Sequence, residues 1–309
     1  MIDAKSPELQ QSPIFQIKPQ VLPVIPRLLP VKQGFRRYNE LERRIGRLGG
    51  LEVRLARSTT DILRAQRLRY AVFYEEMAAK PTFSNRILRR DADAYDAYCD
   101  HLLVLDRSAR SGHLKRSKLV GTYRLLRQEI AGLYRGFYTA SEYDIAPLLA
   151  RHPSTRFLEL GRSCVAPGYR DKRTVELLWH GIWTYILYHK IDALFGCASF
   201  SSTDVDALAI PLSFLHHKAL APPEWRVKAR PERHIPMDCV EFTSIDPRAA
   251  IAALPPLIKG YLRVGARFGE GAVIDHQFGT TDVLVILPVE FIQTRYINYF
   301  GPEAGRFVA

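Results

Sequence analysis

The sequence has 309 residues, of which 47% are apolar, and a formal net charge of +12; a chain of this size and apolar content buries a proper core as one large or two small domains, which excludes a wholly disordered protein. No run of about 18 or more apolar residues occurs, because the longest candidate, Val175 to Tyr188, is interrupted by His180 and Thr184, so no spanning helix is expected. The excess of cations favours acidic partners such as nucleic acid, an anionic lipid surface or an acidic carrier protein, without choosing among them.

Residues 1–50 hold six prolines and carry nine Lys or Arg against four Asp or Glu. They lack the basic-then-apolar order of a secretory signal, so a cytoplasmic protein, peripheral on the inner membrane if the arm binds it, is the expectation. They read as a basic, Pro-rich N-terminal extension with one short basic helix around Tyr38 to Leu48. Leu28, Leu29, Val31 and Phe35 give this arm an apolar side for a peripheral contact with an anionic membrane or a carrier protein, the alternative being a solvated, poorly ordered extension.

From Leu51 onward the pattern alternates between strand and helix, giving one domain over residues 51–309. Leu51 to Arg57 alternates as a strand, and Thr59-Thr60-Asp61 caps a helix from Ile62 to about Met77. His101 to Asp106 and Leu119 to Leu126 read as strands separated by a basic turn, Arg107 to Ser117. Arg156 to Val165 is a further strand. The turn Ala166-Pro167-Gly168 then leads into an apolar helix from about Thr174 to Lys190 and the strand Ala193 to Phe200. Ser202 or Thr203 caps a helix that Pro211 is expected to kink or divide. Val283 to Val289, apolar at successive positions, suits a central strand. These elements outline a mixed sheet with helices on its faces. Cys99, Cys164, Cys197 and Cys239 lie far apart without metal-ligand spacing and are expected to be buried, reduced thiols.

The most informative segment is Phe157 to Val165 followed by Ala166-Pro167-Gly168-Tyr169-Arg170-Asp171-Lys172-Arg173-Thr174. A strand entering a helix through a basic turn offers backbone N–H groups, the positive helix end and cationic side chains to an anion such as phosphate. The segment resembles the donor loop of the GNAT acyltransferase superfamily, with Val165, Pro167, Tyr169 and Arg170 in the places of its V-x-P-x-Y-R pattern. The resemblance implies an α/β fold with a mixed, mostly antiparallel sheet flanked by helices. It also implies donor binding by Val165, Arg170, Lys172, Arg173 and Thr174. Arg173 and Val175 stand where two small residues usually admit the pyrophosphate of coenzyme A. This departure favours the phosphopantetheine arm of an acyl-carrier protein as donor, with no cofactor bound permanently.

Further likenesses narrow the family. Gly121 to Leu126, Glu159 to Arg162, Arg69 to Phe73 and the acidic stretch Asp91 to Asp100 resemble motifs of acyl-homoserine-lactone synthases, which also use acyl-carrier protein. Leu194 to Phe200 and Gly279 to Val285 resemble the bacterial L-ornithine N(alpha)-acyltransferases, the first enzymes of ornithine-lipid synthesis, and the likeness spans roughly residues 51–300. It implies transfer of a fatty acyl group, with or without a 3-hydroxyl, from acyl-carrier protein to the α-amine of L-ornithine, with lysine and glutamine left open as acceptors. The product would be a lyso-ornithine lipid.

The chemistry sets its own demands. Making an amide from a thioester needs a neutral amine, a destination for its proton and donors for the oxyanion. Glu159, a carboxylate inside an apolar strand, is the candidate base, directly or through water, because desolvation raises its pKa. Arg162 is its candidate partner. In a regular strand the two face opposite sides, and Gly161 between them suits a bulge that re-aims one; a structural Glu–Arg ion pair is the alternative. Asp96, Asp100 and Asp282 are candidates for a cationic acceptor side chain, and Arg124 for its carboxylate, since a guanidinium forks onto two oxygens. The acidic run reads equally as a solvated loop.

Phe73, Trp179 and Trp183 are placed along an acyl tunnel or in ordinary core. His101 and Asp106 match an H-x4-D string, but a buried strand between them would put the two on opposite faces. The histidines lack metal-ligand spacing, and no metal is expected. A signal synthase consuming S-adenosylmethionine and a non-catalytic basic binding protein remain as competing readings. The dispersed basic residues, with no recognisable nucleic-acid-binding motif, weigh against a nucleic-acid partner.

Overall fold

The computed structural model describes residues 45–111, 116–301 and 305–307. The expected apolar side of the arm and most of its basic helix lie outside the described residues. In chain order the elements are β1 (Gly46–Leu48), β2 (Leu51–Leu55), α1 (Thr59–Tyr70), α2 (Phe83–Leu88), β3 (Asp100–Ser111), β4 (Arg116–Arg127), α3 (Gln128–Leu133), α4 (Ala146–Arg151) and β5 (Phe157–Val165). There follow α5 (Lys172–His189), β6 (Ala193–Phe200), α6 (Ala209–Ala219), α7 (Pro247–Ala253), α8 (Pro256–Val264), β7 (Arg267–Asp275), β8 (Thr280–Pro288) and α9 (Thr294–Phe300).

The strands form one sheet in the order β1-β2-β3-β4-β5-β6-β8-β7. Neighbours are antiparallel except β5 and β6, which run parallel. A parallel pair needs a crossover, and α5 supplies it. Leu177, Leu178, Ile182 and Ile186 of α5 share a core with Leu102, Val104 and Leu158 of the sheet. A second cluster, including Phe137, Tyr143, Phe195, Trp225 and Ile286, forms a further core around the same sheet. Among the described residues no helix is long and apolar enough to cross a membrane.

Several elements differ from expectation for identifiable reasons. Gly46–Leu48 is a strand and not the end of a basic helix, because Gly49 at φ 63° turns the chain back onto β2. The β3–β4 hairpin extends through most of the segment read as a turn. Ser58 caps α1, its side chain accepting from the Asp61 N–H, and beyond Tyr70 the helix widens into a π turn over Ala71–Glu76. Pro211 neither kinks nor divides α6: it sits in the first turn, where its missing N–H would have had no partner. Leu208 occupies the cap position, and Ser202 instead accepts from Asp204 N. β7 escaped the pattern reading because Gly269 and Gly271 interrupt its alternation; Gly271, at φ 83°, lies in a bulge between Phe268 and Ala272. Cys239 is exposed and Cys197 half-buried, while Cys99 and Cys164 are buried and all four are free thiols.

The feature that creates a site is a fork. The β5–β6 ladder runs only from Phe157↔Ala193 to Glu159↔Phe195. Beyond it β5 stays with β4, through a bulge at Arg162 and Ser163 in which Arg162 takes φ 50°. At the base of the fork Gly196 lets the strands touch, because an added Cβ there would collide with the Leu160 carbonyl. Gly196→Ala is therefore expected to destabilise the fold by about 1–3 kcal/mol through overpacking, seen as a lower urea midpoint with an unchanged m-value.

Candidate active site

The fork opens into a cavity of about 720 Å³ with two chemically distinct wings. Val72, Phe73 and Met77 after α1, Val175, Leu178 and Trp179 of α5, and Pro255 to Leu257 at the start of α8 make the apolar wing. Arg124, Tyr138, Glu142, Arg162, Asp275 and Asp282 make the polar wing, with Cys197 and Ser199 of β6 beside them.

One side of the polar wing rests on three arginines and three aspartates. Arg69, fully buried, donates from Nε to Asp91 at 2.7 Å and from Nη2 to both oxygens of Asp96 at 2.9 and 2.8 Å. Arg124 Nη1 donates to both Asp93 oxygens at 2.7 Å. Arg162 lies 3.4 Å from Asp91 and from Asp93 and donates to the Tyr138 hydroxyl at 3.3 Å. The Tyr138 ring faces both cations, with Arg162 at 4.8 Å and Arg124 at 5.3 Å from its centroid. Burial alone would raise the Asp93 and Asp96 carboxyls; the guanidiniums of Arg124 and Arg69, respectively, override it and hold both below the usual range.

The other side carries carboxylates with the opposite electrostatics. Glu159 is buried, and its oxygens accept the backbone N–H groups of Tyr138 and Thr139 at 2.9 and 2.6 Å. It thus anchors the short 3-10 turn Tyr138–Ser141, at whose end stands Glu142. Burial raises the Glu159 carboxyl, opposed by those hydrogen bonds. No Glu159–Arg162 pair forms; Arg162 turns to the aspartates because of its bulge, the device expected at Gly161 one residue earlier. Glu142 accepts from the Cys197 thiol at 3.3 Å and lies 3.6 Å from Arg233. Burial, reinforced by the nearby Asp282 charge, pushes Glu142 up to about 7. Burial also raises Asp282, which accepts from the Thr280 hydroxyl at 2.9 Å. Oxygens of Glu142, Asp275 and Asp282 lie within 4.8 Å of one another, a set able to hold a cation, whether an ammonium or a metal ion.

The expected site residues divide. Glu159, Arg162, Arg124, Asp282, Val165 and Arg170 line the cavity, as do Phe73 and Trp179. Asp96 and Asp100, expected to meet the acceptor, do not. Asp96 is consumed by Arg69, and Asp100 accepts the Tyr185 hydroxyl at 2.6 Å. Trp183 belongs to the core. Of the donor-loop residues, Lys172 is exposed beside Glu176, Arg173 lies against Gly49 and Thr174 is buried, so none of the three lines the cavity. Arg170 donates to Val165 O at 3.1 Å and forms a two-pronged pair with Glu76 at 2.6 and 2.8 Å. Asp171 caps α5 by accepting from Thr174 N, which sets a carboxylate at the helix start. His101 meets the Asp96 carbonyl while Asp106 takes the Tyr169 hydroxyl, so the two form no dyad. Glu142 and Asp275 were missed because neither stands in a recognisable motif; only the folded turn and the β7–β8 hairpin bring them to Asp282.

Residues 68–180 match the family model described as Acetyltransferase (GNAT) domain. The chain is 56% identical over 261 residues to the L-ornithine N(alpha)-acyltransferase of Agrobacterium fabrum, covering 84% of this chain and 88% of that protein. It is 52% identical over 264 residues to the protein of the same name from Brucella abortus, covering 85% and 93%. Among solved structures it is similar to an N-acyl amino acid synthase from uncultured soil microbes, with a TM-score of 0.41 at 12% identity over 78% of this chain and 91% of that one.

The buried network yields a stability prediction. Arg69→Ala leaves Asp91 and Asp96 buried without their main partner and should cost about 3–5 kcal/mol in chemical denaturation. Folding lowers the Asp93 and Asp96 pKa values, so their contribution is complete above the ordinary value of 3.8 and is lost as pH falls through the folded values. Thermal melts should show a steep decline in midpoint below about pH 4.

Proposed function

The chain belongs to the L-ornithine N(alpha)-acyltransferase family, given relatives 43–56% identical over 81–85% of its length, and from that membership we propose that it joins a long fatty acyl chain, delivered on acyl-carrier protein, to the α-amine of L-ornithine, forming a lyso-ornithine lipid. The observation that carries this reading is the meeting of an apolar wing and a charged wing at the β5–β6 fork. An acyl chain suits the first and a zwitterionic amino acid the second. The open edge of β5 offers backbone hydrogen-bonding groups to the amides of a phosphopantetheine arm, as a sheet edge does to an added strand.

Glu142 takes the role of base. A carboxyl pushed to about 7 has a proton affinity matched to a reaction near neutrality, whereas Glu159 spends its oxygens on the turn that positions Glu142. The amine nitrogen attacks the thioester carbonyl and its proton passes to Glu142. The tetrahedral intermediate then collapses, the C–S bond breaks and the departing thiolate takes up the proton that Glu142 received, which restores the base. Asp275 and Asp282 oppose the side-chain ammonium, and Arg162, held by its aspartates at 3.4 Å, meets the α-carboxylate. Carrier protein is favoured over coenzyme A as donor by the Asp171 carboxylate at the start of α5, where it repels a pyrophosphate. The basic composition of residues 1–50, nine Lys or Arg against four Asp or Glu, supports a peripheral contact of this arm with an anionic membrane or with the carrier protein.

The direct test is acyl transfer from 3-hydroxyacyl-carrier protein to a panel of single amino acids, with acyl-CoA as competing donor and products weighed by mass spectrometry. Carrier-dependent acyl-ornithine is expected; absence of any amide product would sink the proposal. Glu142→Gln should lower kcat by about 10²-fold or more with little change in ornithine KM, while Asp282→Asn should mainly raise that KM. For the wild type, kcat/KM should fall as pH drops below about 7, because the base is lost when Glu142 takes a proton.

A further inference from the structure

Gly260 stands in the middle of α8 with no packing reason to be glycine. A Cβ added there would meet no atom within 4 Å, whereas at Gly196 and Gly181 it would collide with neighbours. Its φ is not in the left-handed region, and glycine is among the least favourable residues inside a helix. What Gly260 borders is the cavity, which it lines together with Leu257 one turn earlier. Ile258, Tyr261 and Val264 of the same helix turn into the core. Val175, Leu178 and Trp179 of α5 line the same cavity. Lys259 beside it donates to Ala252 O at 2.7 Å, and the charges that line the cavity with the apolar-wing residues, Glu76 and Arg170, pair with each other at 2.6 and 2.8 Å. Helix backbone bared toward an apolar wall, with room that no protein atom uses, is space kept for a ligand.

We propose that Gly260 is the specificity-determining position for the length of the donor's acyl chain, which passes between α5 and α8 over the bare backbone. This rests on the acyl-transfer reading given above. A leucine at this position would fill the space that several methylenes of a long chain occupy, and each methylene in a hydrophobic pocket is worth about tenfold or more in discrimination.

The test compares wild type, Gly260→Ala and Gly260→Leu in turnover of acyl-carrier protein charged with chains of about 6, 10 and 16 carbons, and in calorimetric binding of free fatty acids of the same lengths. Gly260→Leu should lose about tenfold or more in kcat/KM with the longest donor and less than about twofold with the shortest. Gly260→Ala should melt at or above the wild-type temperature and shift the profile modestly in the same direction, so that a folding failure of the leucine variant leaves the idea exposed to test. An unchanged length profile in both variants, or a loss equal at every length, overturns the proposal. Length-selective weakening of fatty-acid binding by Gly260→Leu, in a protein that transfers no acyl group, would uphold the role of Gly260 while removing the acyl-transfer reading.

Discussion

Burying charge is costly unless it is paired, and the polar wing is built on that constraint. Arg69, Arg124 and Arg162 enter the fold with Asp91, Asp93 and Asp96 as partners, each arginine meeting two of the three aspartates. Such a network adds little net stability over a well-packed apolar core, but it is expensive to break. Its consequence is positional. The pairs hold the loop before β3 against α1, β4 and β5, so the bulge at Arg162 and the cavity wall it forms are held by the same contacts.

With those three aspartates committed to arginine, the carboxylates on the far side of the cavity meet different surroundings. Glu142 and Asp282 are raised by burial while Asp93 and Asp96 are lowered by their arginines. One chain thus holds acids kept ionised by paired guanidiniums and an acid poised near neutrality by burial, separated by neighbours and not by residue type. Glu159 links the two sets, since it fastens the turn that carries Glu142 from the strand that carries Arg162.

The one parallel pair in a mostly antiparallel sheet is also the pair that forks. A short β5–β6 ladder fixes the two strands at Gly196 and then releases them, and the crossover helix α5 that the parallel arrangement requires supplies Val175, Leu178 and Trp179 to one wall of the gap. Fold and site therefore share their parts: the connection demanded by topology lines the cavity that Gly260 of α8 also borders.

The sequence by itself determined the elements whose periodicity is strong: β6 over Ala193–Phe200, the buried helix α5, and the strand-turn-helix from β5 through Arg170. It also determined the family, because Leu194 to Phe200 and Gly279 to Val285 are local strings. It missed β7, whose glycines break the alternation, and it could not tell which acids meet the cavity, because that depends on which arginine reaches each carboxylate first. Asp96 and Asp100 looked available and are engaged by Arg69 and Tyr185, while Glu142 and Asp275, 133 positions apart by their numbering, come together only when the Tyr138 turn closes against the β7–β8 hairpin. Local pattern specifies secondary structure and motif; partner choice among buried charges is decided by desolvation and distance, which exist only once the chain has folded.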